Sequence, residues 1–183
     1  KDNEIRPYAQ AAIDFIADSQ HEEGGWRYRP NERGDLSVSG WFIMALVSAE
    51  MSGLNVNKET MERAIKFLDR VSGGKDGGSY GYTDSPGKRN SGKNALNAVG
   101  FFCSQILGRS PNTKKAFESA NLIDAAGFQL NDIYYVYYGT LAAYQHQGPV
   151  WEKWLDQMQN KFVSSQLNDG SWPVGAGHGN QMG

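Results

Sequence analysis

Two carboxylates stand where they could work as a pair. Asp35 and Asp132 each sit just ahead of a helical segment. Opposed across a cleft at roughly 5–10 Å, two such groups can cleave a glycosidic bond, one as acid and the other as base or nucleophile. The same positions are also where an Asp caps a helix, accepting backbone N–H bonds and complementing the dipole. The two readings predict different surroundings, and capping is the better supported by position. Other reactive groups are scattered. His21, His146 and His178 fall in or beside loops and helix ends, with no two at metal-ligand spacing. The one cysteine, Cys103, lies in the apolar run Phe101-Phe102-Cys103, as a small core residue would. No phosphate loop, nucleophile elbow or EF-hand loop is written here. The sequence calls for no metal and no cofactor.

Around the two carboxylates gather aromatics, amides and hydroxyls. Ser37 and Trp41 follow Asp35, Asn90 and Asn94 flank the start of a later segment, and Asn131, Tyr134, Tyr135 and Tyr138 surround Asp132. If the segments stand side by side, these residues line a ligand cleft at one rim. Trp and Tyr beside amides suit a hydrophobic or a carbohydrate ligand. The competing expectation is that the rings fill space between helices. Tyrosines at 134, 135, 137 and 138 cannot all face one side of a helix, so part of the set must pack inward.

These residues are positioned by seven helical segments separated by glycine-rich loops. Ala9, Ala12, Ile13 and Ile16 recur at helical spacing over about 6–20, with Pro7 suited to a first turn. Further segments run over about 37–52, from 58 onward, 93–107, 114–126, 133–147 and 150–166, several stopping at a glycine. The tyrosine-rich stretch has strand propensity but helix length. Aligned on their closing glycines, ALVSAEMSG, GFFCSQILG and TLAAYQHQG match without gaps, at Gly53, Gly108 and Gly148. Helical hairpins repeating at 55 and 40 residues predict a stacked repeat with alternate inner and outer helices.

A second repeat punctuates the first. SQHEEGGWRY (19–28) and SSQLNDGSWP (164–173) both read Gln-x-x-x-Gly-Gly/Ser-Trp, 146 residues apart. Gln20, Gly24, Gly25 and Trp26 in one copy, and Gln166, Gly170, Ser171 and Trp172 in the other, resemble the Gln-Trp repeat of the squalene–hopene cyclase, terpenoid cyclase and protein prenyltransferase superfamily. GDLSVSGWFIMALVSA is similar to the inner-helix segment of bacterial prenyltransferase/squalene-oxidase-repeat proteins. The resemblance implies an all-α fold, a partial α/α toroid, as one domain over 1–183. It implies that the Gln joins neighbouring helix ends while the Trp plates the junction. The family's catalytic signatures are missing. Asp35 stands alone where cyclases carry an acidic cluster, and Phe101 replaces the Asp that would precede a zinc-binding cysteine. The Gly-Cys-Gly-Glu-Gln run of the thioester relatives is absent. The implied role is a ligand- or partner-binding scaffold, with an enzyme acting on an isoprenoid or polysaccharide as the alternative.

Composition narrows the partners. Of 183 residues, 39% are hydrophobic and 21% charged, as in ordinary globular domains. A net charge of −2 argues against a nucleic-acid partner. No apolar run reaches the ~20 residues of a membrane span. One cysteine leaves the compartment undetermined. After Trp172 comes only PVGAGHGNQMG, too glycine-rich for the next inner helix, so the reading expects a longer chain, a protein partner or a homodimer.

Overall fold

The structure, a computed structural model, describes residues 2–84 and 94–172. Within them lie seven α-helices: α1 (Asp2–Asp18), α2 (Leu36–Met51), α3 (Lys58–Arg70), α4 (Asn94–Ile106), α5 (Lys114–Ala126), α6 (Ile133–His146) and α7 (Gly148–Lys161). A two-residue antiparallel ladder pairs β1 (Ser72–Gly73) with β2 (Ser79–Tyr80). A 3₁₀ turn follows α7 at Val163–Ser165. The chain is all-α, and the tyrosine-rich stretch is helical. Asn90, His178 and the tail after Trp172 lie outside the described residues.

Local chemistry sets the helix starts. Asp35, Asn57, Thr113 and Asp132 each accept backbone N–H bonds from the first turn of the helix they precede. Gly53 and Gly108 take positive φ where α2 and α4 stop, with φ 69° and 78°. One boundary differs from expectation. α1 begins at Asp2, so Pro7 lies inside it and not in its first turn. A proline that near the start deprives the helix of a single N–H bond.

Three helices form the centre. α4 packs between α2 and α6; α1 and α3 pack against α2, α5 against α4 and α6, and α7 against α6 and α5. A mid-helix glycine permits each close approach. A Cβ at Gly40 would stand 2.5 Å from Val99, at Gly100 2.1 Å from the Tyr80 ring, and at Gly139 2.5 Å from Trp154. The core holds Leu36, Ile43, Leu46, Phe67, Val99, Ile123 and Trp154.

The loops that leave α1, α3 and α5 share one construction: each is held by a polar side chain of the next odd-numbered helix. Leaving α1, the first Gln-Trp loop meets α3. Gln20 Nε2 donates to Thr60 O at 3.0 Å, and Gln20 Oε1 accepts from Arg63 Nε at 2.9 Å. Trp26 is buried, donates its ring N–H to Ile16 O, stacks on Phe42 and donates its backbone N–H to Ser39 Oγ. Leaving α3, the loop carrying Gly77-Gly78-Ser79-Tyr80 meets α5. The Glu118 carboxylate accepts from Lys75 N, Asp76 N and Gly78 N at 2.6–2.8 Å. Tyr80 takes the place of the Trp, its backbone N–H donated to Asn97 of α4. Leaving α5, the loop at Gly127 meets α7, where Phe128 N donates to Gln157 Oε1 at 2.9 Å.

Two outcomes follow. Gly100→Ala improves helix propensity by ~1 kcal/mol but drives a methyl into Tyr80, so urea unfolding should show a net loss of about 1–3 kcal/mol. Burial raises the Glu118 pKa, but the N–H bonds of Gly78, Asp76 and Lys75 outweigh it and hold it below the usual carboxylate range. A depressed folded value gives stability that is complete above the unfolded pKa of ~4.3 and lost as pH falls through the folded value. Glu118→Gln should therefore flatten the acid limb of the stability–pH curve below about pH 4.

Candidate functional site

Asp35 and Asp132 open α2 and α6, and each is committed to its own helix. Asp35 is fully buried. Its Oδ1 accepts from Val38 N at 3.0 Å and from Ser37 Oγ at 2.6 Å, and its Oδ2 lies 3.5 Å from Arg27 Nε. Asp132 Oδ1 accepts from Tyr135 N at 2.9 Å. Tyr82 approaches Asp35, and burial, followed by that carboxylate, raises its phenol pKa. The pair is thus two capping groups, with Asp35 also a buried partner of Arg27. Each carboxylate is held at its own helix start by a backbone N–H bond, as a capping group is.

Between these helix starts lies an aromatic cluster. Tyr134 donates its hydroxyl to Ser37 O at 2.9 Å, bridging α6 to the first turn of α2. Trp41 of α2 stacks on Tyr137 with centroids 5.4 Å apart and planes 23° apart. The edge of Tyr138 meets Trp41 at 5.3 Å, and Tyr138 also contacts Tyr134 and Phe102. Tyr138 is fully buried, while Trp41 and Tyr137 are 46% and 41% exposed. The cluster is therefore filled behind and open in front.

The candidate lining residues divide accordingly. Ser37, Trp41, Tyr134 and Tyr138 come together, and Tyr137 joins them. Tyr135 does not belong, because it points across α6 to Trp154, at 5.6 Å, and is fully buried there. One residue is 100° of helix, which separates Tyr134 from Tyr135. Asn94 opens α4 half-buried, and Asn131 is exposed one residue before the α6 cap. Asn90 lies outside the described residues.

Burial first of all raises the phenol pKa values of Tyr134, Tyr135 and Tyr138, so none acts as a base near neutrality. Burial likewise pushes the Cys103 thiol up to about 12, leaving no thiolate nucleophile. It also pushes His146 down, keeping the ring neutral where it lies against Phe101 and Phe117. Among the described residues, no three His, Cys, Asp or Glu side chains converge as a metal site.

A cavity of about 250 Å³ opens elsewhere, between the end of α4 and the start of α5, lined in part by Tyr80, Phe101, Ser104, Arg109 and Lys115. Its two cations already share Asp69, at 2.7 and 3.4 Å. Among the described residues, no helix is long and apolar enough to cross a membrane. Comparison with known protein families, curated proteins and solved structures finds no match.

Capping carries its own expectation. Asp35→Ala should lower stability by about 2 kcal/mol and Asp132→Ala by about 1 kcal/mol, read from urea unfolding midpoints. The larger loss at Asp35 comes from its burial and from its lost contact with the Arg27 guanidinium.

Proposed function

We propose that this chain is an arc of an α/α toroid, related to the prenyltransferase and squalene-cyclase repeats, serving as a carbohydrate-binding scaffold. In this reading α2, α4 and α6 are the inner helices, and α1, α3, α5 and α7 the outer ones. The observation that carries it is the half-exposed stack of Trp41 and Tyr137, backed by buried Tyr138. A flat aromatic face suits the C–H face of a sugar ring, and Ser37, Asn131 and Asp132 near the same rim offer polar groups for its hydroxyls. The filled back of the cluster favours a sugar over an isoprenoid, which needs a deep apolar cavity. The capping bonds of Asp35 and Asp132 favour binding over cleavage.

Calorimetric titration against a panel of soluble β-linked oligosaccharides tests this reading. At least one glycan should bind, and Trp41→Ala should weaken it about tenfold or more with the helical circular dichroism unchanged. No binding across the panel, or affinity indifferent to Trp41, overturns it.

A further inference from the structure

The second Gln-Trp loop repeats the main bonds of the first. Gln166 Nε2 donates to Gly170 O at 2.8 Å, as Gln20 does to Gly24 O at 2.9 Å. Trp172 donates its ring N–H to Phe162 O at 2.7 Å, as Trp26 does to Ile16 O at 2.8 Å. Leu167 N bonds Ser171 O just as His21 N bonds Gly25 O. Gly170 has φ 86° and Gly24 has φ 88°.

What differs is the surroundings. Gly24 lies so close to α3 that a Cβ would stand 2.1 Å from Arg63 O, whereas a Cβ on Gly170 meets nothing within 4 Å. Gln20 and Trp26 are buried, but Gln166 is exposed and Trp172 only half-buried. Val163 occupies the place of half-buried Ala17 yet is 65% exposed. The loop leaving α7 is folded to receive a helix, and among the described residues it has none.

The other end of the molecule has the converse vacancy. α3, α5 and α7 each receive the loop of the preceding odd-numbered helix, but among the described residues α1 receives none. Ile5, Tyr8 and Phe15 form an exposed apolar stripe along α1. At about 100° per residue, that stripe lies roughly a quarter-turn from the buried Ile13 and Ile16. Arg6 and Gln10, which bind residues 52, 53 and 55, lie on the opposite flank. Arg63, which receives the first loop, stands about a quarter-turn from the buried side of α3 in the same sense. The exposed flank of α1 is thus the flank on which α3 takes its loop.

We infer that a second copy of this chain fills both vacancies head to tail, with α1 of one copy seated on the 163–172 segment of the other. The interface is heterologous, since each copy contributes a different surface. Val163 and Leu167 meet Ile5, Tyr8 and Phe15, and the Tyr8 hydroxyl is the donor on that stripe for Gln166 Oε1. The inference stands on the three internal junctions and is independent of the sugar-binding reading.

Sedimentation velocity tests it with two single-end variants, each altering an exposed side chain. Phe15→Glu blocks the α1 end and Val163→Glu blocks the loop end; circular dichroism confirms that each folds. The unaltered chain should exceed monomer mass as its concentration rises toward about 1 mM, and each variant alone should stay monomeric. An equimolar mixture of the two variants should form a dimer, because each retains the end the other lacks. A chain that stays monomeric, a variant that still self-associates, or a mixture that remains monomeric overturns the inference.

Discussion

The architecture depends on how a loop's backbone is satisfied where it leaves a helix. A helix end exposes carbonyls without intrahelical partners, and a glycine-rich turn adds N–H groups with none. Here the missing partners come from the next odd-numbered helix: Arg63 and Thr60 O through Gln20, then Glu118, then Gln157. The residue changes type because the turn offers different groups. At the first junction the loop's own Gln reaches α3, accepting from Arg63 and donating to Thr60 O. At the second the loop turns three N–H groups outward, and a carboxylate collects them. At the third a single N–H suffices, and a glutamine accepts it.

These bonds explain why the central helices can be so featureless in polarity. α2, α4 and α6 contribute few hydrogen bonds across their mutual contacts, and glycines at 40, 100 and 139 leave room for Val99, the Tyr80 ring and the Trp154 ring to pack against them. Registration is set at the rims. Ser39 and Asn97 each hold the loop residue that precedes their helix, Trp26 and Tyr80 in turn. Tyr134 adds a cross-tie to Ser37. With α2 and α6 fixed this way around α4, Trp41 and the tyrosines must meet. Their cluster is a consequence of the registration, and its open face is what remains accessible.

Much of this was legible in the sequence. Helix count and type followed from periodicity and closing glycines, and Asp35 and Asp132 were readable as caps from their position. The kinship of 20–26 with 166–172 was readable too, and it is matched in the Gln and Trp bonds. The anchors were harder. Arg63 and Glu118 are 55 residues apart, as Gly53 and Gly108 are, and Gln157 follows at 39. No shared residue type marks that register, because Arg63 answers the Gln20 amide oxygen, Glu118 three backbone N–H groups and Gln157 one. The side taken by Tyr135 was hidden for a related reason: only the presence of Trp154 on α7 decides it. The start of α1 was misplaced because a proline tolerated in the second turn reads like one favoured in the first.

Repetition with unequal surroundings separates what a motif is from what it does. The Gln-Trp turn keeps its internal bonds at 166–172 with no helix beside it among the described residues, so those bonds form locally, within ten residues of chain. Burial of the Trp then comes from α2, whose Phe42 and Ser39 meet it at 20–26, and burial of the Gln from the neighbouring α3. At 20–26 that neighbour supplies two hydrogen bonds and Phe67, whose ring lies 2.8 Å from where a Gly25 Cβ would be. The turn therefore works as a preformed socket, whose ordering cost is met before the helix arrives. Stacked hairpins built from such sockets can be extended one unit at a time, because each added helix meets a surface already in its final shape.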